Sequence, residues 1–303
     1  MKEELLKLYN LELDELLKIS SQYIKNEVEF CSLVNARNGK CSQNCKYCAQ
    51  SSHYRTDIET YPLIDIEEVK KTALEAKNNK ASRFAIVTSG KTPDEDRDFQ
   101  LELDMIKEIN KIEGLNSCAS IGILNEEQAK LLAESGLKRF HHNINTAKSY
   151  YPEVCTTHTW QDRINTCKLV KKYGMELCCG VILGMGETVE QRIEMAMQLA
   201  EIQPDSIPIN ILMPIKQTPF ESYIDKIDEE NILRTLAIFK IANPNSILRF
   251  CGGRMRLSEE NQKKALNSCV EGIMIGNYLT TIGKAPEEDI KTISDMGKVI
   301  RLS

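Results

Sequence analysis

Hydrophobic positions along this chain follow two alternating rhythms. Short runs rich in Val, Ile, Phe and Cys occur as VEFCSLVNA, SRFAIVTS, NSCASIG, RFHHNINT, ELCCGVILG, SIPINILM, ILRFCGG and GIMIGN. Their length, period-two alternation and β-branched content predict strands. Between them lie stretches with apolar residues three and four apart, such as DIEEVKKTALEAK, NEEQAKLLAESG, TWQDRINTCKLVKKYG, ETVEQRIEMAMQLAE and EENILRTLAIFKIA, which predict amphipathic helices, several closed by stop signals such as ESG and KKYG. Eight strands, each followed by a helix or by a loop long enough to hold one, predict a single α/β domain, a (β/α)8 TIM-type barrel over residues 28–303. Residues 1–27 read as an additional N-terminal helical segment outside it. No Gly/Ser tract, charge block or low-complexity run marks a linker.

Charge and composition narrow the class. The 303 residues carry 39 Lys and Arg against 44 Asp and Glu, a net charge of -5, and the two signs are mixed rather than gathered into the basic stripe that a phosphate backbone demands. Nucleic acid is therefore not an expected partner. No apolar run approaches the ~20 residues needed to cross a bilayer, and the charged start is unlike a secretory signal. A cytoplasmic protein is expected, with no membrane partner. In that reducing setting eleven cysteines point to metal binding or burial rather than to disulfides, and an odd count fits complete pairing poorly.

Three of those thiols stand close together. In CSQNCKYC, Cys41, Cys45 and Cys48 have C-x3-C-x2-C spacing just after the first predicted strand, where the active-site loops of a barrel begin. Three thiolates on one short loop can hold three corners of a four-iron cluster and leave the fourth iron open to another ligand. A structural zinc site wants four protein ligands, and no fourth Cys or His has finger spacing; His53 is the nearby candidate.

Strand periodicity singles out a second set. Cys31 lies on the first predicted strand, Cys118 on the third, Cys178 on the fifth and Cys251 on the seventh. Residues from alternate strands fill one layer inside such a barrel. If the four point inward they converge near the axis, where buried thiolates need a metal partner; otherwise they are small buried hydrophobes. Cys179 must face the other way and reads as core, as do Cys155, Cys167 and Cys269.

The triplet spacing resembles the radical S-adenosylmethionine superfamily. Together with CSQNCKYCAQSSHYRT, HHNINT, TTHTWQDRINT, GVILGMGET and DSIPINILMPIKQTPF, it resembles the biotin synthase family over nearly all of the chain beyond the N-terminal helix. One departure is Asp205-Ser206 where that family has Glu-Ser. The resemblance implies sulfur insertion between the methyl carbon and the ring methylene of dethiobiotin, C–H bonds that no acid–base pair opens at neutral pH. It also implies a 4Fe-4S cluster, S-adenosyl-L-methionine, an auxiliary iron–sulfur cluster, a flavodoxin- or ferredoxin-type electron donor, iron–sulfur assembly proteins and a homodimer.

Position by position, the resemblance places Tyr47 beside the cofactor adenine, Arg163 on its carboxylate and Asn143 against both substrate and cofactor. Asn145 takes the place of a carboxylate that binds the ribose hydroxyls. Ile182 falls in the adenine-contacting GVILGMGE, and Asn210 lines the pocket. Family members with a 2Fe-2S auxiliary cluster hold it with cysteines on strands two, three and five and an arginine on strand seven. Cys118, Cys178 and Arg249 are retained here, but Ala85 stands at the strand-two position, while Cys31 and Cys251 replace serines. A rebuilt auxiliary cluster on Cys31, Cys118 and Cys178 is expected, completed by Cys251 or alternatively Arg249. Four thiolates suit a four-iron cluster with an extra sulfide better than 2Fe-2S. Competing readings are a barrel relative acting on an amino acid or in hydrogenase cofactor maturation, and an iron–sulfur cluster carrier.

Overall fold

The alternation in EVEFCSLVNAR becomes the 11-residue strand β1 (Glu27–Arg37) in the computed structural model, which describes residues 1–93, 97–223, 227–276 and 283–302. Val28 and Phe30 join the large apolar cluster that also holds the helix residues Val69 and Ile109, whereas Cys31 does not. Period two thus separates an outer, helix-facing side from an inner one. Two helices precede this strand, α1 (Lys2–Tyr9) and α2 (Leu13–Ser20). Seven further barrel positions follow, linked by helices: α3 (Ile66–Asn78), β2 (Arg83–Thr88), α4 (Arg97–Asn110), β3 (Asn116–Ser120), α5 (Glu126–Glu134), β4 (Arg139–His141), α6 (Tyr151–Val154), α7 (Trp160–Lys172), β5 (Glu176–Cys178), β6 (Val181–Leu183), α8 (Val189–Ile202), β7 (Ser206–Ile211), α9 (Glu229–Ala242), β8 (Ile247–Phe250), α10 (Glu259–Ser268) and β9 (Gly272–Met274). The helix α11 (Pro286–Asp295) and the strand β10 (Val299–Arg301) complete the chain.

Every ladder is parallel, and the order β1-β2-β3-β4-β5-β7-β8-β9 closes through Glu29↔Gly272 and Cys31↔Met274. The expected (β/α)8 barrel is therefore present. The fifth position is shared by β5 and β6, because β7 passes so close to Gly180 that a Cβ there would lie 1.9 Å from the Pro208 carbonyl oxygen. Asn143 Oδ1 accepts the Gly180 N–H at 3.0 Å, a side chain standing in for the ladder where β4 has already ended. Helices α5, α7 and α8 begin with capping boxes, Asn125/Gln128, Thr159/Asp162 and Thr188/Gln191, which fix where each strand-to-helix loop stops.

The N-terminal helical segment expected outside the barrel consists of α1 and α2, separated by residues 10–12. They pack outside the barrel: Tyr9 Oη donates to Asn231 Oδ1 at 3.0 Å and Ser20 Oγ to the Ser268 carbonyl at 3.0 Å. Sequence periodicity did not predict β10, a three-residue strand paired with the start of β1 through Glu27↔Val299. The run GIMIGN forms β9 over its first three residues, and its Asn277 lies outside the described residues. Among the described residues no helix is long and apolar enough to cross a membrane.

Candidate active site

The loop after β1 carries the cysteine triplet across the C-terminal mouth of the barrel. Gly39 and Lys40 turn it with positive φ. Backbone bonds from Cys41 N to the Gln50 carbonyl (2.9 Å), Ser52 N to the Cys41 carbonyl (2.7 Å) and Cys48 N to the Cys45 carbonyl (3.0 Å) then hold it in a tight coil. All eleven cysteines are free thiols. Burial pushes the Cys48 thiol up to about 11. Cys45 is raised far above its ordinary value by its contact with Cys155 and by burial, so both thiols keep their protons until a metal displaces them. His53 is exposed and turns its Nε2 to the Ser42 carbonyl at 3.1 Å, so it is not a fourth ligand.

Ligands 2.3 Å from one ion lie at most ~4.6 Å apart. Among the described residues the one trio of Cys, His or acidic ligand atoms within 4.8 Å of one another is Cys45, Cys155 and His158. The three triplet sulfurs are thus spread too widely for a single ion, as a multi-iron cluster between them requires. The donor set and its spacing fit an iron–sulfur cluster.

Around the loop stand the residues expected to hold its partner molecule. Tyr47 packs against two small apolar clusters, one containing Ile182 and the other Tyr151. Arg163, in the first turn of α7, donates from Nε to the Asn143 carbonyl and from NH1 to His158 Nε2 at 3.2 Å. Asn210 is fully engaged by backbone: its Nδ2 donates to the Val181 carbonyl at 3.3 Å and its Oδ1 accepts from Gly252 N at 3.1 Å. It therefore ties β6, β7 and the end of β8 together.

Asn145, placed by the resemblance at the ribose hydroxyls, does not share a face with Asn143 as two positions on a regular strand would. It takes a left-handed conformation, φ 66, which breaks the period of two, and it is absent from the cavity wall described next. Asparagine tolerates that conformation better than most residues. Its backbone instead bridges Val181.

A cavity of about 260 Å³ descends from the triplet into the barrel, lined at one end by Tyr47 and Cys48 and further in by Asn143, Ile182, Ala85 and Cys251. Of the inner thiols, all buried, Cys251 lines this cavity and Cys31, Cys118 and Cys178 do not. Cys118 is the register partner of Ala85, and Cys178 that of His141 and Ser206. Burial pushes the Cys118 thiol up to about 12, with Cys31 and Cys178 adding to the rise and Arg83 and Arg139 opposing it. Burial likewise raises Cys251, with Cys31 and Cys178 again adding. None of the four belongs to the outer apolar cluster, so they lie on the inner side of the barrel. No three of their sulfurs are close enough for one ion.

On the Ala85 side the wall is apolar, formed with Val87 and Leu33. Arg249 is anchored below, Nε to Ser206 Oγ at 3.0 Å and NH2 ion-paired with Glu29, leaving NH1 buried without a partner.

Two residues of the mouth escaped sequence reasoning. Cys155 was expected in the core with Cys167, Cys179 and Cys269. The latter three do lie in the main apolar cluster, but Cys155 packs against Cys45, 110 residues away, with Sγ···Sγ 3.6 Å and His158 Nδ1 at 3.0 Å. These two contacts hold its thiol well below the ordinary value. The available signal was the short Cys-x2-His spacing in CTTH.

Comparison with known proteins agrees with this geometry. The Radical SAM superfamily model matches residues 37–200, and the Biotin and Thiamin Synthesis associated domain matches 208–299, the segment bearing Asn210, Arg249 and Cys251. Biotin synthase of Acetivibrio thermocellus is 45% identical over 280 residues, 92% of this chain and 87% of the relative. That of Pelotomaculum thermopropionicum is 41% identical over 301 residues, 97% and 93% of the two chains.

The FeFe-hydrogenase maturase HydG (TM-score 0.84, 15% identity, 99% of this chain and 72% of that one) and methylornithine synthase (TM-score 0.84, 16% identity, 99% and 94%) share the fold. At that identity the likeness carries the barrel and no further. Identity above 40% along almost the whole chain, triplet and inner barrel included, makes this chain a member of the biotin synthase family within the radical S-adenosylmethionine superfamily.

Proposed function

We propose that the chain converts dethiobiotin to biotin, and that the sulfur comes from an auxiliary iron–sulfur cluster held by Cys31, Cys118, Cys178 and Cys251. The observation that carries this reading is the single cavity whose wall includes Cys48 at the mouth and Cys251 within the barrel. Cys41, Cys45 and Cys48 would hold a four-iron cluster which, with S-adenosyl-L-methionine bound, would supply the radical chemistry that unactivated C–H bonds demand. Cys31, Cys118, Cys178 and Cys251 would hold the auxiliary cluster that would supply the sulfur atom.

The chain's own residues bind and orient. The Arg163 guanidinium, already fixed through Asn143 and His158, offers its charge to the cofactor carboxylate, and Tyr47 and Ile182 flank the adenine. Asn143 faces the substrate, while Asn210 fixes the wall behind it. Leu33, Val87 and Pro208 give the cavity an apolar lining that keeps water from a reactive carbon.

Cys251 is the better fourth ligand than Arg249, because the Glu29 ion pair and the Ser206 contact hold the guanidinium toward the floor and a thiolate is the softer donor for iron. A flavodoxin- or ferredoxin-type donor, iron–sulfur assembly proteins, a homodimer and a cytoplasmic setting complete the proposal by kinship.

The test is anaerobic. Reduced, cluster-loaded chain with S-adenosylmethionine and dethiobiotin should yield biotin or the monothiol intermediate; cofactor cleavage without either product overturns the activity. A variant with Cys41, Cys45 and Cys48 changed to Ala should retain four irons per chain by Mössbauer spectroscopy and iron analysis. Two would reject the rebuilt four-iron cluster while leaving the activity standing.

A further inference from the structure

The turn between α6 and α7 is stapled to the triplet loop. Asn44 Oδ1 accepts from Thr156 N at 3.0 Å and Thr157 N at 3.2 Å, and Asn44 N donates to Thr157 Oγ1 at 3.0 Å. The staple sets Cys155 Sγ 3.6 Å from Cys45 Sγ and 3.0 Å from His158 Nδ1, and all three residues are buried. A tetrahedral ion with bonds of 2.3 Å to sulfur separates its thiolates by ~3.8 Å, close to what these two sulfurs already show. The donor set, two thiols and an imidazole, is one that zinc favours.

We propose that Cys45, Cys155 and His158 form a mononuclear zinc site in the cluster-free chain, and that zinc bound there excludes the four-iron cluster because both require Cys45. Asn44 Oδ1 and Thr157 Oγ1 lie 3.4 and 3.5 Å from Cys155 Sγ, oxygens beside which a fourth ligand would sit. Arginine can only donate, so the Arg163 contact makes His158 Nε2 an acceptor and leaves the ring proton on Nδ1, directed at Cys155. Binding zinc through Nδ1 sends that proton to Nε2, and Cys45 and Cys155 both ligate as thiolates, their thiol protons lost to solvent. Nε2–H then opposes the Arg163 N–H, so zinc also releases the arginine from its histidine. The site thus marks a competition between zinc and iron for one loop.

The experiment uses the full-length chain stripped of iron under anaerobic conditions, with far-UV circular dichroism confirming the fold. Zn²⁺ is titrated against a chromophoric chelator, and Co²⁺ reports thiolate ligation by its charge-transfer bands. Cys155→Ser and His158→Ala should each lose one tight equivalent, weakening it about 100-fold, whereas Cys41→Ser and Cys48→Ser should keep it. In a second measurement, one equivalent of Zn²⁺ should block iron loading of the triplet in the wild-type chain but not in Cys155→Ser, which should load normally without zinc. Zinc retained by Cys155→Ser, or lost with Cys41→Ser and Cys48→Ser, would place the ion on the triplet and overturn the proposal.

Discussion

At the scale of single residues, Arg163 shows what side-chain shape adds to charge. Its guanidinium reaches the Asn143 carbonyl and His158 Nε2 at once, which leaves little freedom to lose when a carboxylate binds. A lysine has the charge without the planar fork. Arg163→Lys is therefore expected to load iron normally yet bind S-adenosylmethionine about tenfold or more weakly, as equilibrium dialysis of the anaerobic protein can measure; wild-type affinity would remove the arginine from the site. The triplet was legible in the sequence because its chemistry is local, three thiols within eight residues. Cys155 and His158 were not, since what matters about them is a contact across 110 positions.

At the scale of elements, the strands are joined at the N-terminal end of the barrel by charge. Glu29 on β1 accepts from Arg83 of β2 at 3.0 Å and Arg139 of β4 at 2.9 Å, and it also pairs with Arg249 of β8. Glu176 on β5 meets Arg83 and Arg139 from the rim. Burial alone would push the Glu29 carboxyl up, but the three arginines outweigh it and hold it well below the usual carboxylate range. The unfolded chain therefore takes up this proton first. Glu29 contributes its full stability above the unfolded value of 4.5 and loses it progressively as the pH falls below that.

Glu29→Gln leaves three buried cations short of a counter-charge and should cost ~3–5 kcal/mol at pH 7. The gap from wild type should narrow by pH 3.5 in urea titrations; an equal loss at both pH values would contradict the charge account. Periodicity placed the strands because each has an apolar outer face. It could not show that β1 hides a glutamate inside, since an alternating Glu reads as solvent-facing. Nor could it show that the fifth strand breaks at Gly180, where the cause is the approach of Pro208 from β7.

Across the whole molecule, two groups of sulfur are built from opposite kinds of information. The outer group sits on one loop. The inner group comes from the first, third, fifth and seventh barrel strands, and only closure of β9 onto β1 brings the strand of Cys31 back to within one strand of β8, which leads to Cys251. Coupling between the groups depends on the space between them, and Ala85 lines that space with a methyl group where the resemblance implies a strand-two cysteine. A large side chain there should obstruct substrate while leaving the mouth intact. Ala85→Phe is expected to continue cleaving S-adenosylmethionine to 5'-deoxyadenosine but to lose biotin formation by about a hundredfold, the cost of a reactant held ~1 Å out of place. Overpacking should lower stability by only ~1–3 kcal/mol, which a thermal melt can separate from the catalytic effect. If deoxyadenosine and biotin fell together in that variant, the cavity would be part of the cofactor site alone, and the passage between the two sulfur groups would have to lie elsewhere.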